Sequence, residues 1–247
     1  MVLENLRYEE GCHLMCLHSL FDRGDALKDV EHVKALLCHQ FDMKDLGELR
    51  YFLGIEMICN EGGIWQSQKK YGLDMLMKYG MADCKPIFTP LDQNLKSRID
   101  EGEVLDGATM YRRIVGSLIY MTISRPDLSY AVGLVSQFMQ LPRKPHLDAM
   151  RRILRRYVRA TLDYTLFYDT STQVQVHGYT NFDWTGSSFD CQSTNGYMFP
   201  FGSAAITWSS KKQSTVAFSS TEAQYRVAAL ADCEVAWLEM LLQDLEI

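Results

Sequence analysis

Between Asp148 and Arg159 the chain writes two opposed surfaces onto a single helix. Met150, Ile153, Leu154, Tyr157 and Val158 recur at helical spacing, while Arg151, Arg152, Arg155, Arg156 and Arg159 fall on the other side. Such a helix must sit at the boundary of a packed core, with its apolar stripe inward. Arg143 and Lys144 lie just before it, so these seven of the chain's 25 basic residues fall within residues 143–159 against a single acid, Asp148. The whole chain has 31 acidic residues and a net charge of −6, so a polyanion would have to be held by a local surface rather than by average charge. Two readings of the arginine face stand side by side: a solvated helix surface, or a contact for phosphate backbones, whose oxygens match the guanidinium fork.

The rest of the chain divides by period. Asp25 to Gln40 reads as a helix, with Val30, Val33, Leu36 and Leu37 as its stripe. Tyr51–Cys59 and Ile64–Gln68 read as strands of a hairpin around Asn60-Glu61-Gly62-Gly63, and Lys69–Tyr79 as a helix stopped by Gly80. Residues 83–107, with Pro86 and Pro90, read as a linker or extended arm. Tyr111–Ile123 is a helix, and Arg125-Pro126-Asp127 opens another that runs to about Gln140 and buries Leu128, Val132, Val135 and Phe138. From Val174 the period becomes two. Val174–Asp183, Gly196–Phe201 and Ala205–Ser209 read as strands, with Pro200 marking an edge or a bulge. Two overlapping capping boxes, Ser219–Glu222 and Thr221–Gln224, open a helix that runs to about Asp244. Strands followed by a helix suggest a separate α+β unit beginning near residue 170.

With 47% hydrophobic and 23% charged residues the composition is that of an ordinary globular protein. No apolar run approaches the roughly 18 residues that span a bilayer, and the first residues lack the basic start and apolar core of a signal peptide. No membrane partner is expected. Seven scattered cysteines suit free thiols in a reducing, intracellular compartment, with cytoplasm and nucleus equally open. Cys12, His13, Cys16 and His18, with Cys38-His39, could supply zinc ligands, but no pair sits at a finger spacing, and ordinary core or surface roles explain them as well.

The segments FDMKDLGELRYFLGIEM, QKKYGLDMLMKYGM, YRRIVGSLIYMTISRPDLSYAVGLVSQFM and WSSKKQSTVAFSSTEAQYR resemble the C-terminal part of copia-type (Ty1/copia) retrotransposon polyproteins, in order from about Phe41 to Ile247. The resemblance implies an α+β chain. Residues 1–165 would be a helical and hairpin remnant of the reverse transcriptase (end of palm, thumb and connecting helices), and residues 170–247 a truncated ribonuclease H-like domain with a mixed sheet. In the family, polymerisation needs paired aspartates in a Tyr-x-Asp-Asp turn, with the fingers and most of the palm before it. Here Cys16-Leu17-His18-Ser19-Leu20-Phe21 stands near that place without an acid pair, and the preceding parts would lie before Met1.

Ribonuclease H chemistry in the family uses about four carboxylates to hold two Mg2+ ions. The first is the first Asp of Tyr-Thr-Asp-x-Asp-Trp, and this chain reads Tyr179-Thr180-Asn181-Phe182-Asp183-Trp184. The second is the second Glu of Thr-Glu-Ala-Glu-Tyr, and this chain reads Thr221-Glu222-Ala223-Gln224-Tyr225. The other two would lie beyond Ile247. Asp183 can share a strand face with Asn181, displaced by about 6.5 Å. Glu222 is turned from Gln224 by about 200° on a helix. No cofactor is therefore expected for this chain. The blander readings make Asn181 an ordinary strand residue, Gln224 a helix N3 cap, Trp184, Trp208 and Trp237 core side chains, and Lys211-Lys212 a solvated loop.

Three functions follow: a catalytically silent retrotransposon fragment; a non-catalytic binder of RNA–DNA hybrid or RNA through Arg151, Arg152, Arg155, Arg156 and Arg159; or a hybrid nuclease completed by other polyprotein fragments in a larger assembly.

Overall fold

The computed structural model describes residues 50–81, 85–92, 102–169, 171, 177–184 and 191–244. The expected helix at 25–40, the Cys12–His39 ligand cluster and the Cys16–Phe21 turn lie outside the described residues. The fold is α+β, with two antiparallel sheets and a layer of helices.

The first sheet has the order β1-β2-β3-β4, with β1 at Tyr51–Phe52, β2 at Ile55–Asn60, β3 at Gly63–Ser67 and β4 at Leu166–Asp169. The β2–β3 hairpin closes on Asn60, whose Oδ1 accepts from the N–H groups of Gly62 (2.9 Å) and Gly63 (3.2 Å). Gly63 lies at φ +152°, and a Cβ there would come within 2.2 Å of the Tyr168 carbonyl. Only glycine lets β4 approach so closely. Sequence periodicity gives no sign of β4. It pairs Ile64 with Tyr168 and Gln66 with Leu166, and Trp65 stacks on Phe167 with ring centroids 4.3 Å apart.

Helix α1 (Lys69–Lys78) ends as expected at Gly80, which takes φ +62° while Met81 N–H donates back to Leu76 O at 2.8 Å. Helix α2 (Thr109–Met121), a 3-10 turn at Pro126–Leu128, α3 (Ser129–Ser136) and α4 (Lys144–Arg152) follow. The expected helix to Gln140 is shorter, because residues beyond Ser136 form turns; Phe138 is half-buried and stacks on His146. Helix α4 begins earlier than its apolar stripe suggests, with Pro145 in its first turn, and widens into a π turn over Ile153–Val158. Tyr111, Ile114, Leu118, Val132, Met150, Ile153 and Leu154 fill the first core. At its rim Arg125 is buried. It grips Asp127 through Nε (2.8 Å) and Nη2 (2.7 Å), and Thr161 through its carbonyl (2.9 Å) and hydroxyl (2.6 Å).

The second sheet, order β5-β6-β7, contains β5 (Tyr179–Asp183), β6 (Thr194–Phe201) and β7 (Ala204–Lys212). The resemblance implies a mixed sheet, whereas every pairing among the described residues is antiparallel. The short link between β6 and β7 can join only antiparallel neighbours. Pro200 stands in the central strand, not at an edge. The register slips between Phe199 and Pro200, so the missing N–H is accommodated by a bulge. Lys211 and Lys212 belong to β7, opposite Asn195 and Thr194, rather than to a loop. Helix α5 (Ser220–Asp244) crosses this sheet.

A second core joins the sheets. Ile55, Met57, Ile64 and Tyr168 pack with Phe199, Phe201, Ile206 and Leu238, and the Tyr168 hydroxyl donates to Ala205 O at 3.1 Å. Residues on both sides of position 170 thus share one hydrophobic interior.

Candidate nuclease-like site and arginine face

Strand alternation determines what Asn181 can face. Tyr197 and Thr207 lie toward α5, since both hydroxyls donate to Glu234 on that helix, at 3.2 and 2.7 Å. Thr180 pairs with Tyr197 and so shares that face; Asn181 and Asp183, one step off, lie on the other with Gly196 and Thr194. Asn181 is exposed, and its Oδ1 accepts from Phe182 N–H at 2.9 Å. Asp183 is half-buried, and its Oδ1 accepts from Thr194 N–H.

The start of α5 resolves the two overlapping capping boxes. Ser219 is the cap: its Oγ accepts from Glu222 N–H at 3.1 Å, and the Glu222 carboxylate accepts from Phe218 N–H at 2.8 Å. Arg226 Nη2 donates to the same carboxylate at 2.6 Å. The Phe218 amide, then Arg226, hold the Glu222 carboxyl below its ordinary range. Gln224 is therefore not an N3 cap. It is exposed beyond the first turn. Trp184 is half exposed rather than core, its Nε1 donating to Ala217 O at 3.4 Å, while Trp208 and Trp237 are partly buried.

Both neighbouring carboxylates make contacts of their own. Each carboxylate has an oxygen already committed to a backbone N–H, and Glu222 is also paired with Arg226. Among the described residues, no group of three His, Cys, Asp or Glu side chains could hold a metal ion. An amide oxygen can coordinate but brings no charge to offset the dehydration of Mg2+.

The arginines of α4 and its π turn do not form one uniform surface. Arg151 and Arg155 are exposed; Arg152, Arg156 and Arg159 are partly buried. Residues 85–92, expected as a linker, run across them. Arg152 donates through Nε to Thr89 O (3.4 Å) and through Nη2 to Thr89 Oγ1 (2.9 Å), with Asp92 Oδ2 3.7 Å from its Nη1. Arg156 Nε donates to Lys85 O at 3.3 Å, and Ile87 N–H donates to Arg156 O at 3.1 Å. Neither this internal contact nor the commitment of Asp183 leaves a local signal in the sequence; that of Glu222 does, as the Ser219–Glu222 capping box.

Similarity to known proteins sets the family. The chain is 40% identical over 201 residues to an uncharacterized mitochondrial protein of Arabidopsis thaliana, a match covering 81% of this chain and 83% of that one. It is 44% identical over 211 residues to the retrovirus-related Pol polyprotein from transposon RE1 of Arabidopsis thaliana, and 38% identical over 251 residues to that from transposon TNT 1-94 of Nicotiana tabacum. The chain belongs to the copia-type retrotransposon Pol family. A model for reverse transcriptase (RNA-dependent DNA polymerase) matches residues 15–93. The chain spans 14% of the RE1 polyprotein and 19% of the TNT 1-94 polyprotein, while the matches cover 85% and 97% of its own length. No solved structure matches it. Among the described residues, no helix is long and apolar enough to cross a membrane.

Proposed function

We propose that this chain is a catalytically silent piece of a copia-type polyprotein. Residues 1–165 correspond to the end of the palm, the thumb and the connecting helices of the reverse transcriptase, and residues 170–247 to a ribonuclease H-like domain. The order β5-β6-β7-α5, an antiparallel meander followed by a long helix, supports the second assignment. One observation carries the loss of catalysis: amides stand at Asn181 and Gln224, and the neighbouring Asp183 and Glu222 are engaged elsewhere. The intact family relies on two Mg2+ ions, and two neutral ligands would lower both ion affinity and the activation of water. The purified 247-residue chain should leave a labelled RNA–DNA hybrid intact in Mg2+ or Mn2+. Cleavage abolished by Asp183→Ala would overturn this reading and favour the hybrid nuclease.

A second reading adds binding of RNA–DNA hybrid or RNA without turnover. Its support is the exposure of Arg151 and Arg155 on the arginine helix. Arg152 and Arg156 contribute less directly, because residues 85–92 occupy them.

A further inference from the structure

Residues 85–92 meet the arginine helix through side chains, backbone and core together. Thr89 takes the Nε and Nη2 positions of Arg152 with its carbonyl and hydroxyl. That is the edge of a guanidinium that grips a phosphate with two parallel hydrogen bonds. Asp92 sets a carboxylate 3.7 Å from the same group. Four residues before Thr89, the Lys85 carbonyl takes the Nε of Arg156. Ile87 N–H reaches the Arg156 carbonyl inside the Ile153–Val158 π turn, and Leu91 packs against the first core. The footprint of the segment coincides with the place where the helix leaves α geometry.

We propose that residues 85–92 form a strap that competes with nucleic-acid phosphates for Arg152 and Arg156. With the strap docked, Thr89 and Lys85 occupy the donors of Arg152 and Arg156. With it released, two further forks join the same face, and Asp92 no longer repels the polyanion. The proposal rests on the phosphate reading of the arginine helix, and its test separates the two.

The probe is a labelled 20-base-pair RNA–DNA hybrid, titrated by fluorescence anisotropy against the full 247-residue chain over a range of KCl concentrations. Two variants release the strap through different contacts: Thr89→Ala/Asp92→Ala at the side chains and Ile87→Pro at the backbone. Limited proteolysis within residues 85–92, together with amide exchange at residues 88, 89 and 91, reports the release in each. Released chains should bind on the order of tenfold tighter, with a log-affinity slope against log salt steeper by about 1.4–1.8, the equivalent of two phosphates. Adding Arg152→Ala/Arg156→Ala to a released chain should remove that gain. Released chains that bind like the parent, where the parent's binding is lost in Arg151→Ala/Arg155→Ala, would overturn the strap and keep the phosphate reading. Failure of every chain to bind would overturn both. Unchanged proteolysis within residues 85–92 and unchanged exchange at residues 88, 89 and 91 in both variants would show that these contacts do not hold the segment, and would overturn the strap as well.

Discussion

The helical layer and the β5–α5 end of the second sheet handle charge in opposite ways. In the helical layer cations are kept and used internally: Arg125 binds Asp127 and Thr161, and Arg152 and Arg156 bind residues 85–92. At the sheet end, Asn181 and Gln224 are neutral, while the Glu222 carboxylate is tied to the Phe218 N–H and Arg226 at the start of α5. An arginine-rich face is therefore a poor measure of open electropositive surface. A carboxylate near a candidate site is an equally poor measure of metal-binding capacity. Both depend on what the rest of the chain has already claimed.

The contrast can be broken most sharply at Arg125. Arg125→Ala should lower unfolding free energy by about 2–3 kcal/mol, since it removes the buried hydrogen bonds to Asp127 and Thr161 while Tyr157 and the Tyr164 amide still donate to them; Arg151→Ala should change it by less than about 0.5 kcal/mol. Equal urea midpoints for the two variants would show that the buried cation has no special structural role. Ser219→Ala comes next, with a loss of about 1 kcal/mol from the uncapped α5, read as a lower thermal midpoint. The double change Asn181→Asp/Gln224→Glu alters two exposed positions, so stability should stay within about 0.5 kcal/mol. The same variant should still fail to cleave hybrid, because two carboxylates are fewer than the about four that hold two Mg2+ ions. Recovered Mg2+-dependent cleavage would show that charge alone was missing. The smallest effect is set by pH. The carboxyl of Glu222 titrates below its ordinary value when folded, so its contribution is present above the usual glutamate range and fades as pH falls through the lowered value. The thermal midpoint of Glu222→Gln should therefore trail the parent at pH 7 and converge with it toward pH 3. A gap that does not change with pH would assign the difference to something other than the charge.

What the sequence made legible follows from the range of each signal. The β2–β3 hairpin, α1 and its glycine stop, and the arginine helix depend on neighbours a few residues apart, and periodicity finds them. Lys211 and Lys212 looked like loop because of their charge, yet pairing with Asn195 and Thr194 carries the strand through them. Two capping boxes fitted the start of α5 equally well, and only the backbone settles it at Ser219. β4 escaped because four residues without a turn signature are too few for a periodic pattern, and their partner lies about a hundred positions away. At the candidate site, the identities at 181 and 224 could be read directly. The engagement of Glu222 is local and follows the Ser219–Glu222 capping box, whereas that of Asp183, Arg152 and Arg156 arises from tertiary contacts, which residue type does not encode.

The pairing of Ile64 with Tyr168 also fixes an order of events for a chain emerging from the ribosome. The β2–β3 hairpin can form early, but its outer edge must wait until residue 169 has been synthesised. Closing so long a loop from a disordered chain is entropically unfavourable, though each doubling of length adds only about 0.6 kcal/mol. Prior condensation of α1 to α4 around Leu118 and Leu154 would shorten the effective loop, so the helical core should form before the sheet is completed. A fragment ending at residue 165 would keep that core and leave the edge of β3 unpaired, with Trp65 lacking Phe167: a template for chain-to-chain association rather than a finished domain.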